Sequence, residues 1–500
     1  MAYHEIFLAI IFCILFLFLS SAKNTFLPWN WPFMRMVPTM YLKSHEVYNK
    51  ITQLLAENKG TILFKTSWIT NTDILVTSDP SNVQHIMNTN FSIYQRGSEF
   101  RNVFDFLGDA VFNKDLEEWR EEKKFTHAFF RQPQYQKSIP RIIHHTLGKG
   151  LIPVLDHISM KNEVLDLQDL FNRYMFDATC IMVTGFDSAS LRTGFPKIPL
   201  LDAMDDIAEA VFYRHILPEK VWKLQRYLKM GKEKKLAEAS NTFKQILSDY
   251  VTKKRDLSAN NQENEDNFDV LKFYLSTTQG SSSTTHEEDS FLAGNLMTLL
   301  FAGRDTSGAL LTWFFHLITQ NPQVKNQILD EIKQNCITSK EHIFSDVGEL
   351  SKLTYLHSAL SESLRLFPTG PFLLRVPNQD DVLPSGHKLN QTTKVMLCSY
   401  AMGRMKEIWG EDCGEFKPER WVAEKGGVKH VATNNFLAFS SGPWTCPGRE
   451  LAFTRMKAVA ATILHNYEIR VLEGQDICPS VSAILTMKNG LRATVSKRWM

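Results

Sequence analysis

One apolar segment near the middle of the chain restricts the fold more than any other feature. Over residues 289–320 the apolar side chains recur with helical period. A helix over these roughly 30 residues would be about 45 Å long at the usual rise per residue. A membrane span is the alternative, but Asn295, Arg304 and Asp305 near its centre, with His316 beyond, make burial in lipid costly. We therefore expect a long helix through the core of a large domain.

A second apolar run lies close to the N-terminus. Residues 6–22 carry no charge and have a length at the short end of what spans a bilayer. A cleaved signal peptide is the alternative, but Glu5 and no Lys or Arg precede the run. Lys23 and Arg35 follow it, so the positive-inside rule leaves the rest of the chain in the cytosol. We expect a retained anchor over residues 1–22, a proline-rich hinge over 23–38 and one further domain over 39–500.

The composition narrows the possible functions. The formal net charge is +2 and no basic tract is interleaved with aromatic residues, so we expect no nucleic-acid partner. The 7 cysteines are scattered and lack CxxC spacing, which predicts a reducing compartment without a disulfide framework or a zinc site. Residues 62–77 alternate apolar and polar side chains and predict short antiparallel strands. Helical periodicity dominates afterwards, so we expect a fold that is mainly α with a small β subdomain.

A cysteine in a glycine-bracketed loop carries the strongest chemical signal. Cys446 precedes a helix-periodic stretch, with Gly442 and Gly448 on either side of it. The first turn of a helix offers unpaired N–H groups and the positive end of the helix dipole, so we expect a lowered thiol pKa. Pro447 suits this turn because its missing N–H costs nothing there. A metal-binding thiolate is one interpretation, and a buried structural cysteine is the other.

The spacing of Phe439, Gly442, Cys446 and Gly448 resembles the haem-ligand loop of the cytochrome P450 family. The resemblance implies the cytochrome P450 fold with haem b as cofactor. It also implies that Cys446 is the axial thiolate ligand of the iron and that Phe439 and Gly448 lie against the cofactor.

A motif inside the long segment points to the same family. Residues 302–307 read Ala-Gly-Arg-Asp-Thr-Ser and resemble the P450 oxygen-activation motif. We expect the absent side chain of Gly303, next to Ala302, to allow close approach of a planar ligand. The Thr306 hydroxyl can leave its own i−4 carbonyl to hold a water or dioxygen, and the resemblance implies that Asp305 supplies protons beside it. A buried, paired aspartate on a core helix is the alternative.

Two charged motifs occur in the order that this family would require. Trp119 and Lys123 lie four residues apart on one helical face, which by itself indicates a surface helix with a half-buried tryptophan. The resemblance instead assigns both residues, together with Arg375 on a later strand, to the haem propionates.

Glu362 and Arg365 form an i,i+3 pair, and such pairs usually lie on the surface. Because Arg420 follows at the sequence spacing of the family pattern, the resemblance implies a Glu/Arg/Arg network that locks the haem loop. We expect both guanidinium groups to fork onto Glu362.

The resemblance also implies the reaction and its partners. We expect monooxygenation of a lipophilic small molecule by O₂, with electrons from NADPH through a membrane-bound cytochrome P450 reductase. The enzyme would reside in the endoplasmic reticulum membrane, in contact with membrane lipid. Arg120, Lys124 and Arg449 are candidates for the reductase-facing surface.

Short segments at residues 30–33, 382–388, 400–404 and 487–490 resemble the plant branch that hydroxylates fatty acids and mid-chain carbons of wax alkanes. One offshoot of that branch performs phenol coupling in alkaloid synthesis. Position in the family predicts the following substrate-lining residues: Phe104, Leu300, Ala302, Phe372, Leu374, Ile484 and Leu485. A phenylalanine-rich loop over 91–112 would cap the substrate cavity, although core packing is the alternative. Residues 212–228 fit a core helix or an amphipathic segment against the bilayer.

Two positions depart from the family pattern. Trp444 stands where the pattern calls for a propionate-binding arginine, and Arg375 and Lys123 are the available substitutes. We therefore expect a Trp444→Arg variant to retain haem better, and the departure leaves an inactive haem-binding protein open. A non-oxygenase haem enzyme is a further alternative, against which Thr306 argues. The turn at residues 369–371 differs from the wax-hydroxylase pattern. This difference weakens the case for assigning wax-alkane hydroxylation to this chain.

Overall fold

The structure is a computed structural model that describes residues 46–65, 73–260, 268–278, 285–335 and 343–498. The predicted anchor and hinge lie outside the described residues. Residues 261–267 and 279–284, which consist mostly of polar residues, also lie outside them.

The helices in chain order are α1 Val47–Glu57, α2 Pro80–Gln84, α3 Gly97–Val103, α4 Leu116–Phe130, α5 Pro133–Thr146, α6 Ile152–Lys161, α7 Leu167–Thr184, α8 Pro199–Ile216, α9 Glu219–Tyr227, α10 Gly231–Ala259, α11 Val270–Thr278, α12 Thr285–Gln320, α13 Pro322–Asn335, α14 Val347–Lys352, α15 Thr354–Leu366, α16 Ser399–Met402, α17 Lys406–Trp409 and α18 Arg449–Asn466. The strands are β1 Thr61–Phe64, β2 Ile74–Thr77, β3 Tyr94–Gln95, β4 Leu165–Asp166, β5 Phe372–Pro377, β6 Asp381–Val382, β7 Lys388–Leu389, β8 Lys394–Cys398, β9 Tyr467–Val471 and β10 Arg492–Lys497. Helices predominate, which confirms the predicted mainly α fold with a small β part.

A five-stranded sheet in the order β1-β2-β8-β5-β3 forms most of the β part. β1 pairs antiparallel with β2, with Thr61 opposite Thr77, which confirms the strands predicted over residues 62–77. β2 pairs in parallel with β8, a strand from far later in the chain. β5 lies between β8 and β3 and carries Arg375 into the interior.

The long helix α12 is the central element of the molecule. It has 36 residues, so it is about 54 Å long at the usual rise per residue. Leu296, Leu311 and Phe314 on it have no exposed surface, and the helix contacts α7, α10, α15 and α18. The predicted core helix is confirmed. Among the described residues, no helix is both long and apolar enough to cross a membrane.

Glycines on one side of α12 allow close packing against α7. A Cβ at Gly303 would lie 2.6 Å from Thr179 Oγ1, and one at Gly308 would lie 2.1 Å from Asn172 Oδ1. Thr179 is itself held in place, because Arg455 of α18 donates to its hydroxyl at 2.9 Å. The interpretation that Gly303 clears space for a planar ligand is therefore wrong, since its missing side chain accommodates α7.

We predict that Gly303→Ala lowers the free energy of unfolding by about 1–3 kcal/mol, because the added methyl group forces α7 and α12 apart. Urea denaturation followed by circular dichroism measures the change. Gly414→Ala is the matched control, since a Cβ at Gly414 would meet nothing within 4 Å. Equal unfolding midpoints for the two variants would show that the helices absorb the methyl group without strain.

Candidate active site

The loop before α18 presents Cys446 at the end of a tightly held turn. Gly442 has φ of +60°, and a Cβ there would lie 2.1 Å from the carbonyl oxygen of Met87, so only glycine fits. The backbone N–H of Cys446 donates to the carbonyl of Phe439 at 2.9 Å and closes the loop. Gly448 then caps α18, and the side chain of Cys446 is exposed.

Opposing effects act on the Cys446 thiol. Although Cys446 keeps accessible surface, the protein packed around it removes part of the hydration of its thiol and raises the thiol pKa. The N–H of Gly448 and the Lys123 ammonium group act to lower this pKa. Burial outweighs the other two, so the prediction of a lowered pKa is wrong for the protein chain by itself. The expected N–H donor and cation are nevertheless both in place.

The side chain of Lys123 binds the backbone of the cysteine loop. Its Nζ donates to the carbonyl oxygen of Thr445 at 2.7 Å and to that of Pro443. Trp119, one turn earlier on α4, is 6% exposed, and its ring centroid lies 4.2 Å from that of Trp444. The pair therefore joins α4 to the cysteine loop, and the ammonium group of Lys123 is already engaged.

The basic residues proposed for the reductase surface have acidic neighbours. Arg120 pairs with Glu117, and Lys124 pairs with Glu121 at 2.6 Å. The guanidinium of Arg449 lies 3.9 Å from a carboxylate oxygen of the next residue along the chain. Such exposed pairs reduce the local excess of positive charge.

A cluster of two arginines and one indole lies beside the loop. The guanidinium carbons of Arg96 and Arg375 lie 4.8 and 4.5 Å from the ring centroid of Trp444. Burial lowers the pKa of Arg375 to about 9, and the like charge of Arg96 adds to this shift. Burial also lowers the pKa of Arg96 to about 10. Both groups remain cations at neutral pH.

The sequence reasoning missed Arg96. Its only local signal is that it precedes a glycine within the phenylalanine-rich loop, Gly97, whose φ is +86°. The second cation beside Trp444 is thus Arg96, whereas Lys123 is held by backbone carbonyls of the loop.

One face of α12 combines an accessible surface with a half-buried acid. Ala302 is exposed although Arg304 beside it is buried, and the Thr306 hydroxyl donates to the Ala302 carbonyl at 2.9 Å. Burial raises the pKa of Asp305, with Arg304 opposing the shift and Asp205 adding to it. Arg304 reaches both carboxylates, at 2.6 Å for Asp205 and 3.4 Å for Asp305. Asp305 is therefore an acid that holds its proton more tightly than usual.

The structure brings Glu362, Arg365 and Arg420 together in the core. Arg365 donates to both oxygens of Glu362, at 2.7 and 2.8 Å, and neither side chain has exposed surface. Arg420 does not fork onto Glu362: its Nε lies 3.3 Å away without hydrogen-bond geometry, and its other nitrogens bind the backbone of Trp409 and Asp412.

The remaining contacts of this group extend the network. The indole N–H of Trp421 donates to Glu362 at 2.8 Å, a partner that the sequence reasoning did not identify. Arg365 also donates to the carbonyls of Cys413 at 2.6 Å and Glu415 at 2.8 Å. The ion pair therefore holds the long segment that precedes the cysteine loop.

The predicted substrate-lining residues separate into two groups. Leu300 and Leu485 have no exposed surface and belong to the core, so the structure contradicts their assignment to a cavity wall. The others retain accessible surface: Phe104, Phe372, Leu374, Ile484 and the exposed Ala302.

Phe104 belongs to an aromatic cap within the phenylalanine-rich loop. Its ring centroid lies 4.6 Å from that of Phe100, 5.0 Å from that of Phe112 and 5.7 Å from that of His215 on α8. We call these four residues the aromatic cap. It joins the loop after β3 to helix α8.

A buried ion network holds α8, α9 and α10 to the same loop. Arg214 is 4% exposed, binds both oxygens of Glu233 at 2.7 and 2.8 Å, and reaches Asp105 at 2.9 Å. Arg226 bonds to Asp105 at 2.7 Å and to Glu233 at 3.1 Å. The ring centroid of Trp222 lies 4.7 and 4.9 Å from the central carbons of the two guanidinium groups.

The rest of α9 faces outward. Leu224 is 56% exposed and Tyr227 83% exposed, and only Trp222 on this helix is buried. The core-helix alternative for this part of residues 212–228 is therefore wrong, and the amphipathic alternative fits.

Comparison with known proteins identifies the family. The sequence profile described as Cytochrome P450 matches residues 27–495. The chain belongs to the cytochrome P450 family, whose members are oxygenases. It is 38% identical to the alkane hydroxylase MAH1 of Arabidopsis thaliana, over 94% of this chain and 93% of that protein. It is 36% identical to a noroxomaritidine synthase of Narcissus aff. pseudonarcissus MK-2014, over 99% and 97%, and 33% identical to cytochrome P450 86B1 of Arabidopsis thaliana, over 94% and 85%. The predicted family and fold are confirmed.

Membership in the P450 family implies a haem-iron cofactor, and the residues present fit one. Cys446 offers an accessible sulfur beside a backbone N–H donor. Trp444 Nε1 and Arg375 Nε are buried and have no acceptor among the described residues. Two neighbouring guanidinium groups add positive charge suited to a carboxylate. A soft ligand for iron and unpaired donors for propionates are thus both available.

We predict that Glu362→Ala lowers the free energy of unfolding by about 3–5 kcal/mol, because it leaves the Arg365 guanidinium buried without a counter-charge. Glu117→Ala is the control, since it removes the exposed partner of Arg120 and should cost less than about 1 kcal/mol. Chemical denaturation of both variants measures the difference. A small effect for both would mean that water reaches Arg365.

Proposed function

We propose that this protein is a haem b monooxygenase that hydroxylates a long-chain aliphatic substrate, either a fatty acid or an alkane. The observation that carries the proposal is the accessible Cys446 in a loop held by Lys123, in a chain that is similar to an alkane hydroxylase over nearly its whole length. The aromatic cap supports an apolar substrate, because three of its four side chains are phenylalanines.

Each site residue receives a role in this proposal. Cys446 would hold the haem iron through its Sγ, and Arg375, Arg96 and Trp444 would hold the propionates. Haem, when bound, supplies the activation of dioxygen. The Thr306 hydroxyl would deliver protons at this site, and the half-buried carboxyl group of Asp305 would restore the proton to that hydroxyl.

The same proposal includes NADPH–cytochrome P450 reductase as the electron donor. Its docking surface would include the solvent-facing side of α4 and the start of α18. Because Arg120 and Lys124 are paired with neighbouring acids, we expect this contact to depend only moderately on salt.

Oxidative coupling of a phenolic substrate is the second candidate. The observation that favours it is the similarity to noroxomaritidine synthase over 99% of this chain. The aromatic cap could also stack on the rings of such a substrate.

We predict that the protein, reconstituted with a plant reductase, NADPH and O₂, converts a long-chain alkane or fatty acid into a mono-hydroxylated product detected by mass spectrometry. Cys446→Ser is the control and should lose both product and the red-shifted Soret band of the ferrous CO complex, because only a thiolate ligand produces that band. A coupled product from a phenolic amine, without aliphatic hydroxylation, would favour the second candidate. Survival of the band in Cys446→Ser would overturn the ligand assignment.

We further propose that the enzyme lies on the endoplasmic reticulum membrane through both its N-terminal segment and the outer face of α9. The exposed apolar residues of this face and the turn after it are Val221, Leu224, Tyr227, Leu228 and Met230. Lys220 and Lys229 alternate with them and are also exposed, as expected for contact with anionic lipid headgroups.

We predict that protein lacking residues 1–22 still binds anionic phospholipid vesicles, and that Leu224→Ser combined with Tyr227→Ser weakens this binding about tenfold through the loss of buried apolar area. Co-flotation with vesicles measures it. Met160→Ser is the control, because Met160 is 76% exposed on α6, outside this face. Equal binding by the two variants would exclude α9 as the membrane contact.

A further inference from the structure

The indole of Trp444 has an unusual set of neighbours. It is 6% exposed, and its ring centroid lies 4.2 Å from that of Trp119 and 5.3 Å from that of Phe91. Arg96 and Arg375 approach the same indole at 4.8 and 4.5 Å. The negative face of an aromatic ring attracts cations, so the indole holds together two guanidinium groups that would otherwise repel each other.

Two hydrogen-bond donors in this cluster have no acceptor. Trp444 Nε1 and Arg375 Nε are both buried, and neither is bonded to any described residue. Buried donors are nearly always paired in folded proteins, because an unpaired donor loses its hydration without compensation. Their occurrence on neighbouring side chains points to a shared acceptor outside the described residues.

The charge of the cluster indicates what this acceptor is. Asp115 is the one carboxylate that opposes the pKa shifts of Arg96 and Arg375 among the described residues. Its oxygens accept the backbone N–H groups of Arg96 and Gly97, at 2.8 and 3.2 Å. Asp115 also pairs with Arg101 at 3.4 Å, so its one negative charge does not balance Arg96 and Arg375, and the cluster keeps an excess of at least one positive charge. A carboxylate group would balance this charge and satisfy both donors.

We propose that Trp444 is a haem-binding residue that donates its indole N–H to the propionate contacted by Arg375, while its ring keeps Arg375 and Arg96 in place. This inference rests on the proposed haem site. An arginine at position 444 would set a third guanidinium against the two already present, in a site with little water to screen them. The expectation that Trp444→Arg improves haem retention is therefore reversed.

The experiment compares haem release from variants that separate the N–H from the ring. Trp444→Phe keeps an aromatic face and loses the donor, and Trp444→Arg introduces the third cation. Trp222→Phe is the matched control, because Trp222 is 1% exposed and its ring centroid also lies close to two guanidinium groups, at 4.7 and 4.9 Å. Each haem-loaded protein is mixed with excess apomyoglobin, and transfer of haem is followed in the Soret band. Urea midpoints of the apo forms are measured in parallel.

We expect Trp444→Phe to release haem about tenfold faster than the wild type, the effect of losing one hydrogen bond to a charged acceptor. Its apo form should unfold at an unchanged urea concentration. Trp222→Phe should release haem at the wild-type rate, and Trp444→Arg should release it faster than Trp444→Phe. If the arginine variant does not fold, the phenylalanine variant and its control still decide the question.

The opposing results are equally clear. Equal release rates for wild type and Trp444→Phe, in proteins that bind haem, overturn this inference and leave the proposed function intact. Slower release from Trp444→Arg also overturns it, because the propionate would then prefer a third cation to the indole. A wild-type protein that takes up no haem overturns both this inference and the proposed function.

Discussion

The ion pair between Glu362 and Arg365 is the interaction on which the site depends. Both side chains are fully buried, and a charge in the protein interior is tolerated only when its partner and remaining hydrogen bonds are all in place. The remaining donors of Arg365 reach the backbone of Gly403, Cys413 and Glu415. The irregular chain that leads to the cysteine loop is therefore arranged around one charge. A substitution in this network would disturb Cys446 without touching it.

The charges at the proposed cofactor site are not balanced, in contrast to those of the Glu362–Arg365 pair. Arg96 and Arg375 keep their protons, with pKa values of about 10 and 9, and Asp115 balances only one of them. Without an anion, this excess charge opposes folding. A carboxylate-bearing cofactor would remove the penalty, and a ligand that binds only the folded state stabilises it by mass action. In the proposed haem site, haem binding and stability would thus be coupled through the same two side chains.

Local patterns predicted part of this arrangement. Helical periodicity predicted α12, and the i,i+3 spacing predicted the Glu362–Arg365 contact, because both depend on neighbouring residues. The function of Arg96 could not be predicted, since it comes from the tertiary approach of three distant segments. Gly303 was misassigned because the sequence does not tell which neighbour packs on each face of a helix. The pKa of Cys446 was mispredicted because the dipole argument omits burial by the rest of the protein.

Two similar side-chain clusters show why charge balance separates structural from functional roles. Trp222 and Trp444 each lie close to two guanidinium groups, at nearly the same distances. Around Trp222, Glu233 and Asp105 accept bonds from both arginines, so the cluster is neutral and complete and serves to join α8, α9 and α10. Around Trp444, within the part of the chain that the structure describes, Asp115 is the one carboxylate that opposes the pKa shifts of Arg96 and Arg375, and two buried donors lack acceptors. Natural proteins keep such incomplete groups mainly where something else must bind. The chain therefore uses one packing arrangement twice, and only the incomplete copy marks a binding site.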